Sequence, residues 1–200
     1  MNKKVIIIGA GGHGKVVTDI VKLNGDEVIG YLDNTKTGIV NGIEVLGTNE
    51  DIGKFDCYYF PAIGNNAIRQ EIMQKDVKWY TAIHPSAVVA QDVKIPEGVV
   101  IMANAVVNPG SVIGRGVIIN TAATVDHDNV IGDFVHLSPG VHLAGTVTIK
   151  ERTWIGIGAI VINNITICSD AMIGAGAVVA KNLIESGAYV GVPARMMIDN

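Results

Sequence analysis

Residues 113–149 read IGRGVI-INTAAT-VDHDNV-IGDFVH-LSPGVH-LAGTVT-I, and every group of six opens with an aliphatic residue. The same step runs without insertion from residue 83 to residue 179, so that 17 consecutive hexads begin with Ile, Val or Leu. A six-residue period is neither that of a helix nor that of plain strand alternation. It is typical of a short strand followed by a tight turn, with three such units closing one triangular coil. The pattern therefore predicts a parallel β-helix of five to six coils, with its aliphatic row pointing inward.

Composition supports a strand-rich chain. The 200 residues include 28 Ile and 27 Val but only 6 Leu, and β-branched side chains fit pleated strands better than helices. The chain has 24 Gly, which serve turns, and its high apolar content argues against disorder. The fifth position of each hexad is mostly small or β-branched, and Asn129 departs from that pattern. A mainly helical or disordered protein is excluded.

Charge and cysteine usage narrow the class of protein. The net charge of −4 offers no basic footprint for nucleic acid. Cys57 and Cys168 have no metal or redox spacing, so we expect two buried free thiols in a reducing compartment. The apolar run at residues 5–8 is too short for a signal peptide, and no run could span a bilayer. We expect a cytoplasmic protein with no metal, no nucleic-acid partner and no membrane partner.

The first 82 residues have a different pattern. Apolar runs at 4–8, 28–32, 56–63 and 78–82 predict strands, and helical spacing falls at 15–23 and at about 66–74. Strands that alternate with helices imply a small parallel sheet with right-handed crossovers. The sequence therefore predicts two domains: an α/β, Rossmann-like half-domain over 1–82 and an all-β helix over 83–200.

A glycine pattern opens the first domain. Gly9, Gly11 and Gly14 fit the dinucleotide fingerprint, in which glycines let the backbone approach a pyrophosphate at a helix N-terminus. Asp33 follows at the distance where an acid meets a ribose hydroxyl. A half-domain suits one nucleotide with its diphosphate better than NAD. The alternatives are a nicotinamide-dependent oxidoreductase, which leaves the β-helix unexplained, and a glycine turn that serves packing only.

Together the two halves resemble one family over essentially the whole chain. This is the group of bacterial sugar acetyltransferases that includes the sialic-acid O-acetyltransferases and the UDP-4-amino-sugar N-acetyltransferase of the bacillosamine pathway. Their solenoid belongs to the left-handed β-helix, hexapeptide-repeat acyltransferases. Residues 62–69 look most like the UDP-amino-sugar branch. The matching segments are residues 9–14, 31–33, 62–69, 119–121, 125–128, 131–136, 143–145 and 191–195.

The resemblance implies an acetyl-CoA-dependent N-acetyltransferase. The acceptor would be the 4-amino group of a UDP-linked amino-deoxy sugar (of the UDP-4-amino-4,6-dideoxy-N-acetylhexosamine type), used for surface glycan or glycoprotein synthesis. The first domain would hold the UDP-sugar and the solenoid acetyl-CoA, in a homotrimer whose flat faces pack together. Two alternatives stay open: a sialic-acid-type sugar O-acetyltransferase, and a non-catalytic solenoid module that binds nucleotide sugars.

His127 is the expected general base, because a histidine titrates near neutral pH and this one is flanked by acids. By the resemblance, Asp128 orients His127. Asp is one methylene shorter than the Glu of the bacillosamine-pathway member, so whether it reaches the ring is open. The backbone N–H of Gly145 would meet the thioester carbonyl and stabilise the oxyanion.

The resemblance also implies the binding residues. His13 would donate to a phosphate, Arg69 would offset the diphosphate charge, Asp33 would bind the uridine, and His136 would lie near the thioester. The full substrate set is Gly11, Gly12, His13, Asp33, Asn65, Arg69 and Asn120. CoA also needs room for its adenine and pantetheine, which late glycines would leave, and cations for its phosphates, of which Lys181 and Arg195 are nearest the end of the solenoid. The acetyl-CoA set is His136, Gly145, Gly156, Gly174, Ala175, Lys181 and Arg195.

Overall fold

The computed structural model describes residues 2–197. Its first part is a six-stranded sheet with helix α1 on one face and helix α2 on the other. The elements are β1 Lys4–Ile8, α1 Gly12–Leu23, β2 Glu27–Leu32, β3 Ile39–Val40, β4 Ile43–Gly47, β5 Tyr58–Pro61, α2 Asn66–Ile72 and β6 Lys78–Trp79, with a 3-10 turn at Asn49–Asp51. The strand order is β3-β4-β2-β1-β5-β6, and all neighbours are parallel except β3 and β4.

The β3–β4 hairpin is an element that the apolar pattern did not predict. Asn41 and Gly42 join the two strands, with φ of 52° and 74°. Two left-handed residues in succession are typical of the type I′ hairpin turn, for which Asn-Gly is the preferred pair. The signal was therefore present in the sequence, but β3 has only two residues and shows no periodicity.

The hexads form the predicted parallel β-helix. Strand partners lie 18 residues apart, as Val100 and Ile118 do, so three hexads make one coil. Face 1 consists of Ala82–Ile83, Val100–Ile101, Ile118–Ile119, His136–Leu137, Trp154–Ile155, Met172–Ile173, Ala188–Val190 and Arg195–Met196. Face 2 consists of Val88–Val89, Val106–Val107, Thr124–Val125, His142–Leu143, Ile160–Val161 and Val178–Val179. Face 3 consists of Val112–Ile113, Val130–Ile131, Thr148–Ile149 and Thr166–Ile167.

Three corners join these faces, and we name them corner 1/2, corner 2/3 and corner 3/1 in chain order. The aliphatic residue that opens each hexad points into the prism, and Val125, Ile131 and Leu137 are all at most 1% exposed. Each buried aliphatic side chain contributes about 1.5–3 kcal/mol relative to exposure. The uninterrupted inner row accounts for the stability of a prism whose strands have only two residues each.

The α/β part covers the first coils of face 1. Val100 and Ile118 on that face are fully buried, and they pack in one cluster with Val17 and Ile20 of α1. Further down the same face, the start of α2 reaches only the edge of the coil at Arg152 and Thr153, and Trp154 is 41% exposed. The junction therefore leaves an open stretch of face 1 directly beside the α/β part.

Candidate active site

The predicted base lies on corner 2/3, in the turn between Thr124–Val125 and Val130–Ile131. His127 Nδ1 is 2.8 Å from Asp128 Oδ2, and both side chains are more than half exposed. Asp128 has a φ of 57°, and its carboxylate lies beside the preceding imidazole. The shorter acid therefore reaches the histidine.

Asp128 also sets the electrostatics of the base. Its hydrogen bond raises the pKa of His127 above the usual value, with further increases from the charges of Asp126 and Asp128. Pairing at Nδ1 fixes the tautomer, so that Nε2 carries the free lone pair when the ring is neutral. Asp126 accepts hydrogen bonds from Asn108 Nδ2 and His127 N, each at 2.8 Å, which lower the pKa of its carboxyl group. Hydrogen bonds made by the residue before His127 and the residue after it therefore fix the conformation of this turn.

The imidazole lies against Gly145, one coil further along the same corner. A Cβ built on Gly145 would lie 2.5 Å from both Cε1 and Nε2 of His127, so only glycine leaves the ring in place. The Gly145 carbonyl accepts from Asn164 N at 3.2 Å. Its N–H has no acceptor among residues 2–197. A free backbone donor thus lies next to the predicted base, and acyl transfer needs such an arrangement.

Asp128→Asn is expected to shift the acidic limb of the rate profile to lower pH. His127 must be neutral to accept a proton, and its raised pKa keeps it protonated up to a higher pH than an ordinary imidazole. Removing the carboxylate charge returns the pKa toward 6.5, while the weaker base lowers the plateau rate by roughly tenfold. The measurement is kcat against pH for wild type and variant. An unchanged acidic limb would show that Asp128 does not tune the base.

A groove of about 400 Å³ lies where face 1 turns into corner 1/2. Trp154 forms one wall, stacked on His136 with ring centroids 5.5 Å apart and planes 2° from parallel. The Trp154 Nε1–H donates to Ser138 Oγ at 2.8 Å. The lining residues are Asn120, His136, Ser138, Pro139, Trp154, Gly156, Ile157, Met172, Ile173, Gly174 and Ala175. The structure thus brings together five of the predicted residues in one mostly apolar groove.

His136 is held as a neutral ring at the top of this groove. Burial, together with the positive field of Arg69 and the nearby His13, lowers its pKa to about 3. Its Nε2 lies 3.3 Å from the Asn120 amide nitrogen, which can donate to it. His136 therefore stays neutral near neutral pH, which leaves His127 as the candidate base.

The glycine-rich loop of residues 9–14 leads into the N-terminus of α1, which begins at Gly12. Asp33 Oδ2 accepts from Ala10 N at 2.8 Å, and Oδ1 accepts from the backbone and hydroxyl of Thr35 and from Lys36 N. Burial opposes ionisation, but these hydrogen bonds outweigh it and lower the pKa of Asp33 to about 2. The carboxylate thus shapes the loop, and its expected contact with the uridine stays a prediction.

Lys36 is a loop contact for which the sequence carries no signal. Its Nζ crosses to the carbonyl of Ala10 at 2.7 Å, which places a cation against the glycine loop. On the other side of the loop, burial and then the charge of Arg69 lower the pKa of His13 to about 4. His13 Nε2 is buried and has no partner among the described residues. These two side chains are candidates to contact a diphosphate at this loop.

Arg69 does not lie where a diphosphate would meet it, so that expectation needs correction. The side chain is 1% exposed and all five of its N–H groups have protein acceptors. The acceptors are the carbonyl oxygens of Ile63, Gly64, Gly116 and Phe134 and the side chain of Asn66. Asn66 in turn donates to the carbonyls of Arg152 and Thr153. Arg69 therefore connects the α/β part to the solenoid through buried hydrogen bonds.

Arg69→Met is expected to lower the free energy of unfolding by about 3 kcal/mol. Each buried carbonyl that loses its donor costs about 1–3 kcal/mol, and relief of an unpaired buried charge offsets part of that cost. The measurement is urea unfolding, with Lys75→Met as a control, since Lys75 is an exposed cation just beyond α2. A loss below about 1 kcal/mol would show that these carbonyls find other donors.

Three other predicted residues do not line the groove at corner 1/2, although Asn65 lies in an adjoining pocket with Trp154 and Met172. Asn65 caps α2, where its Oδ1 accepts from Ile68 N at 3.0 Å. Lys181 is exposed beyond the last strand of face 2, and Arg195 is exposed in the last strand of face 1. Neither cation lines the groove at corner 1/2. Their expected role toward the CoA phosphates is not supported by this placement and stays a prediction.

Known proteins with the same architecture identify the group. Residues 4–75 match the PglD N-terminal domain. The acetyltransferase domain of PglB from Neisseria gonorrhoeae, in complex with acetyl coenzyme A, is 41% identical, with a TM-score of 0.94 over 98% of this chain and 100% of that one. The chain belongs to the bacterial sugar N-acetyltransferase family.

Two further members of that family give its range of acceptors. GDP-perosamine N-acetyltransferase from Caulobacter crescentus, in complex with CoA and GDP-perosamine, is 40% identical, with a TM-score of 0.94 over 98% of this chain and 97% of that one. UDP-N-acetylbacillosamine N-acetyltransferase from Bacillus subtilis is 36% identical over 113 residues. That alignment spans 50% of this chain and about half, 52%, of the curated relative.

Within residues 2–197, no cluster of three or more His, Cys, Asp or Glu side chains could hold a metal ion. No helix in this part of the chain combines the length and the apolar character needed to cross a bilayer.

Proposed function

We propose that this protein transfers the acetyl group of acetyl-CoA to the amine of a nucleotide-linked amino sugar. The observation that carries the proposal is the His127–Asp128 pair, whose imidazole lies against Gly145, a residue with a free backbone N–H. Two relatives support it, since one is described with acetyl-CoA and another with CoA and GDP-perosamine. The apolar groove at corner 1/2 suits the pantetheine arm of CoA.

The reaction follows from these positions. The sugar amine attacks the thioester carbonyl while His127 Nε2 takes its proton, and Asp128 stabilises the resulting imidazolium. The N–H of Gly145 donates to the oxyanion of the tetrahedral intermediate. Collapse breaks the C–S bond, completes the new amide and releases CoA thiolate, which His127 reprotonates. Direct transfer requires no covalent enzyme intermediate.

We propose that the two parts of the chain divide the ligands, with residues 1–82 holding the nucleotide sugar and residues 83–200 holding acetyl-CoA. The backbone of Gly11 and Gly12 opens α1, a 12-residue helix whose N-terminus favours an anion. Lys36 replaces Arg69 as the cation for the diphosphate, because its ammonium group already contacts the loop. His13 offers the unpartnered Nε2 on the opposite side.

We propose UDP as the nucleotide and a 4-amino-4,6-dideoxy sugar as the acceptor. The curated relative is named for a UDP-sugar and supports UDP, whereas the Caulobacter relative is described with a GDP-sugar. Activated sugars and acetyl-CoA are both made in the cytoplasm, so we place the reaction there, in the synthesis of a surface glycan or glycoprotein.

We further propose a homotrimer with its active sites between neighbours. His127 occupies corner 2/3 while the groove opens at corner 1/2, so one chain presents the base and the donor site in different directions. Val88, Val112, Val130 and Ile160 form exposed apolar positions on faces 2 and 3, where a second copy could pack. Light scattering tests the mass, and Val130→Glu should give an inactive monomer. An active wild-type monomer would rule out this assembly.

The activity test uses the purified full chain with acetyl-CoA and a panel of acceptors. We expect CoA release with UDP-4-amino sugars, and mass spectrometry should show an N-acetyl product. A GDP-4-amino sugar as the better acceptor would correct the nucleotide, and acetylation of sialic acid would select the O-acetyltransferase alternative. Binding of UDP without any CoA release would favour the non-catalytic module.

A further inference from the structure

Two buried polar residues interrupt the apolar interior of the prism below corner 2/3. Residues 111, 129 and 147 occupy the same position in successive coils, and Val147 is the ordinary occupant. Ser111 is 6% exposed and Asn129 is fully buried. A buried amide is unfavourable unless its hydrogen bonds are satisfied. The side chains of Ser111 and Asn129 therefore need hydrogen-bond partners inside the prism.

The Asn129 side chain uses both ends of its amide. Its Nδ2 donates to the carbonyl of Asp126 at 2.7 Å, and its Oδ1 accepts from Val147 N at 2.6 Å. Ser111 Oγ donates to the same Asp126 carbonyl at 2.9 Å. Asp126 directly precedes the base, and Val147 lies two residues after Gly145. One amide thus ties the turn that carries His127 to the turn that carries Gly145.

The turns of corner 1/2 close in a different way. At corner 1/2 the fifth residue of the hexad donates its backbone N–H to the carbonyl three residues earlier, as Ala123 does to Asn120 and Val141 does to Ser138. Beside His127 the carbonyl three residues earlier is instead bonded by the Asn129 side chain. Asn129 N points to Ser111 Oγ at 3.4 Å. The turn beside His127 is therefore closed by a side chain, whereas the turns of corner 1/2 close through the backbone.

We propose that Asn129 is a positioning residue that fixes His127 relative to the Gly145 N–H. This inference rests on the function proposed above, because the position of the base matters only if His127 and Gly145 act on one acetyl group. Asn129 itself is sealed inside the prism and touches no substrate. It acts through the Asp126 carbonyl and the Val147 N–H, one on each turn.

The test replaces Asn129 with Val. Val occupies the fifth position of the hexad at residues 117, 135, 141 and 147. We expect a folded protein whose kcat falls by about 10²-fold with KM for both substrates nearly unchanged, because displacing a reactive group by about 1 Å costs that much. In the His127→Ala background the same change should have almost no further effect on kcat. Thr153→Val is the matched control, since Thr153 is fully buried at a fifth position on corner 3/1 and donates to Cys168 O.

A readout independent of activity separates this inference from the proposed function. In the wild-type protein, the protons on the His127 ring should give NMR cross-relaxation with the Gly145 backbone, and Asn129→Val should abolish that contact. A variant that keeps the contact, or that keeps wild-type kcat, would overturn the positioning role. If the wild type transfers no acetyl group, the proposed function fails, and the ring contact still decides whether Asn129 holds the two turns together.

Discussion

His127→Ala is expected to lower kcat by about 10²–10⁴-fold, the range that general base catalysis contributes. The ring is the group that both pairs with a carboxylate and lies over the Gly145 backbone. KM for the nucleotide sugar should change little, because the proposed contacts to that ligand lie on the α/β part. The measurement is steady-state CoA release with wild type and variant at saturating substrate.

The control for this variant is His84→Ala. His84 lies at the junction of the two parts of the chain, where its Nδ1 contacts Ser86 Oγ at 2.8 Å, away from corner 2/3. Its replacement should leave kcat within about twofold. If His127→Ala retained near-normal kcat, the base would have to be another group or water, and the assignment of this corner as the active site would be wrong.

Gly145→Ala is expected to reduce kcat by at least about 10²-fold without unfolding the protein. The new methyl group would lie 2.5 Å from Cε1 and Nε2 of His127, closer than such atoms approach, so the imidazole must move off the site. The backbone N–H survives the substitution, which separates loss of the base position from loss of the oxyanion donor. The measurement is kcat together with the melting temperature.

A double-mutant cycle tells how this variant acts. If displacement of the ring causes the loss, Gly145→Ala should cost little in a protein that already lacks the His127 side chain. Additive losses would mean that the methyl group blocks the thioester instead. Asn163→Ala serves as the control, because Asn163 is exposed at the corresponding position of the next coil. It should leave kcat unchanged.

The hexad pattern predicted the solenoid because each short strand places one aliphatic side chain inside the prism, and this requirement depends only on nearby sequence. The strand, glycine loop and helix at the start of the chain were also predicted from local sequence patterns. His127 and Gly145 were predicted through a family resemblance, and the structure brings them into contact because coils stack every 18 residues. The hairpin at Asn41-Gly42 was not predicted, because β3 is too short to show a periodic pattern, although Asn-Gly is a typical hairpin-turn pair.

Arg69, which sequence reasoning misplaced, and Lys36, which it missed, both have partners that are remote in the chain. Arg69 was expected to offset the charge of a diphosphate. In the structure it donates instead to the carbonyls of Gly116 and Phe134 in the solenoid, and these contacts depend on how the two parts pack. Lys36 reads as a loop charge, yet its ammonium group folds back onto Ala10. Neither contact leaves a spacing that a single sequence could show.

By itself, the sequence determined the repeating prism, the α/β part before it and the chemical groups available, because these follow from periodicity and residue type. The tertiary structure decided which groups meet. The left-handed turn at Asp128 brings its carboxylate to His127, and stacking of successive coils sets Gly145 beneath the ring. Asn129 appeared in the sequence as a break in the pattern, and in the structure its amide joins those two turns. The physical reason is that distances between turns depend on the register of whole coils, which no local pattern encodes.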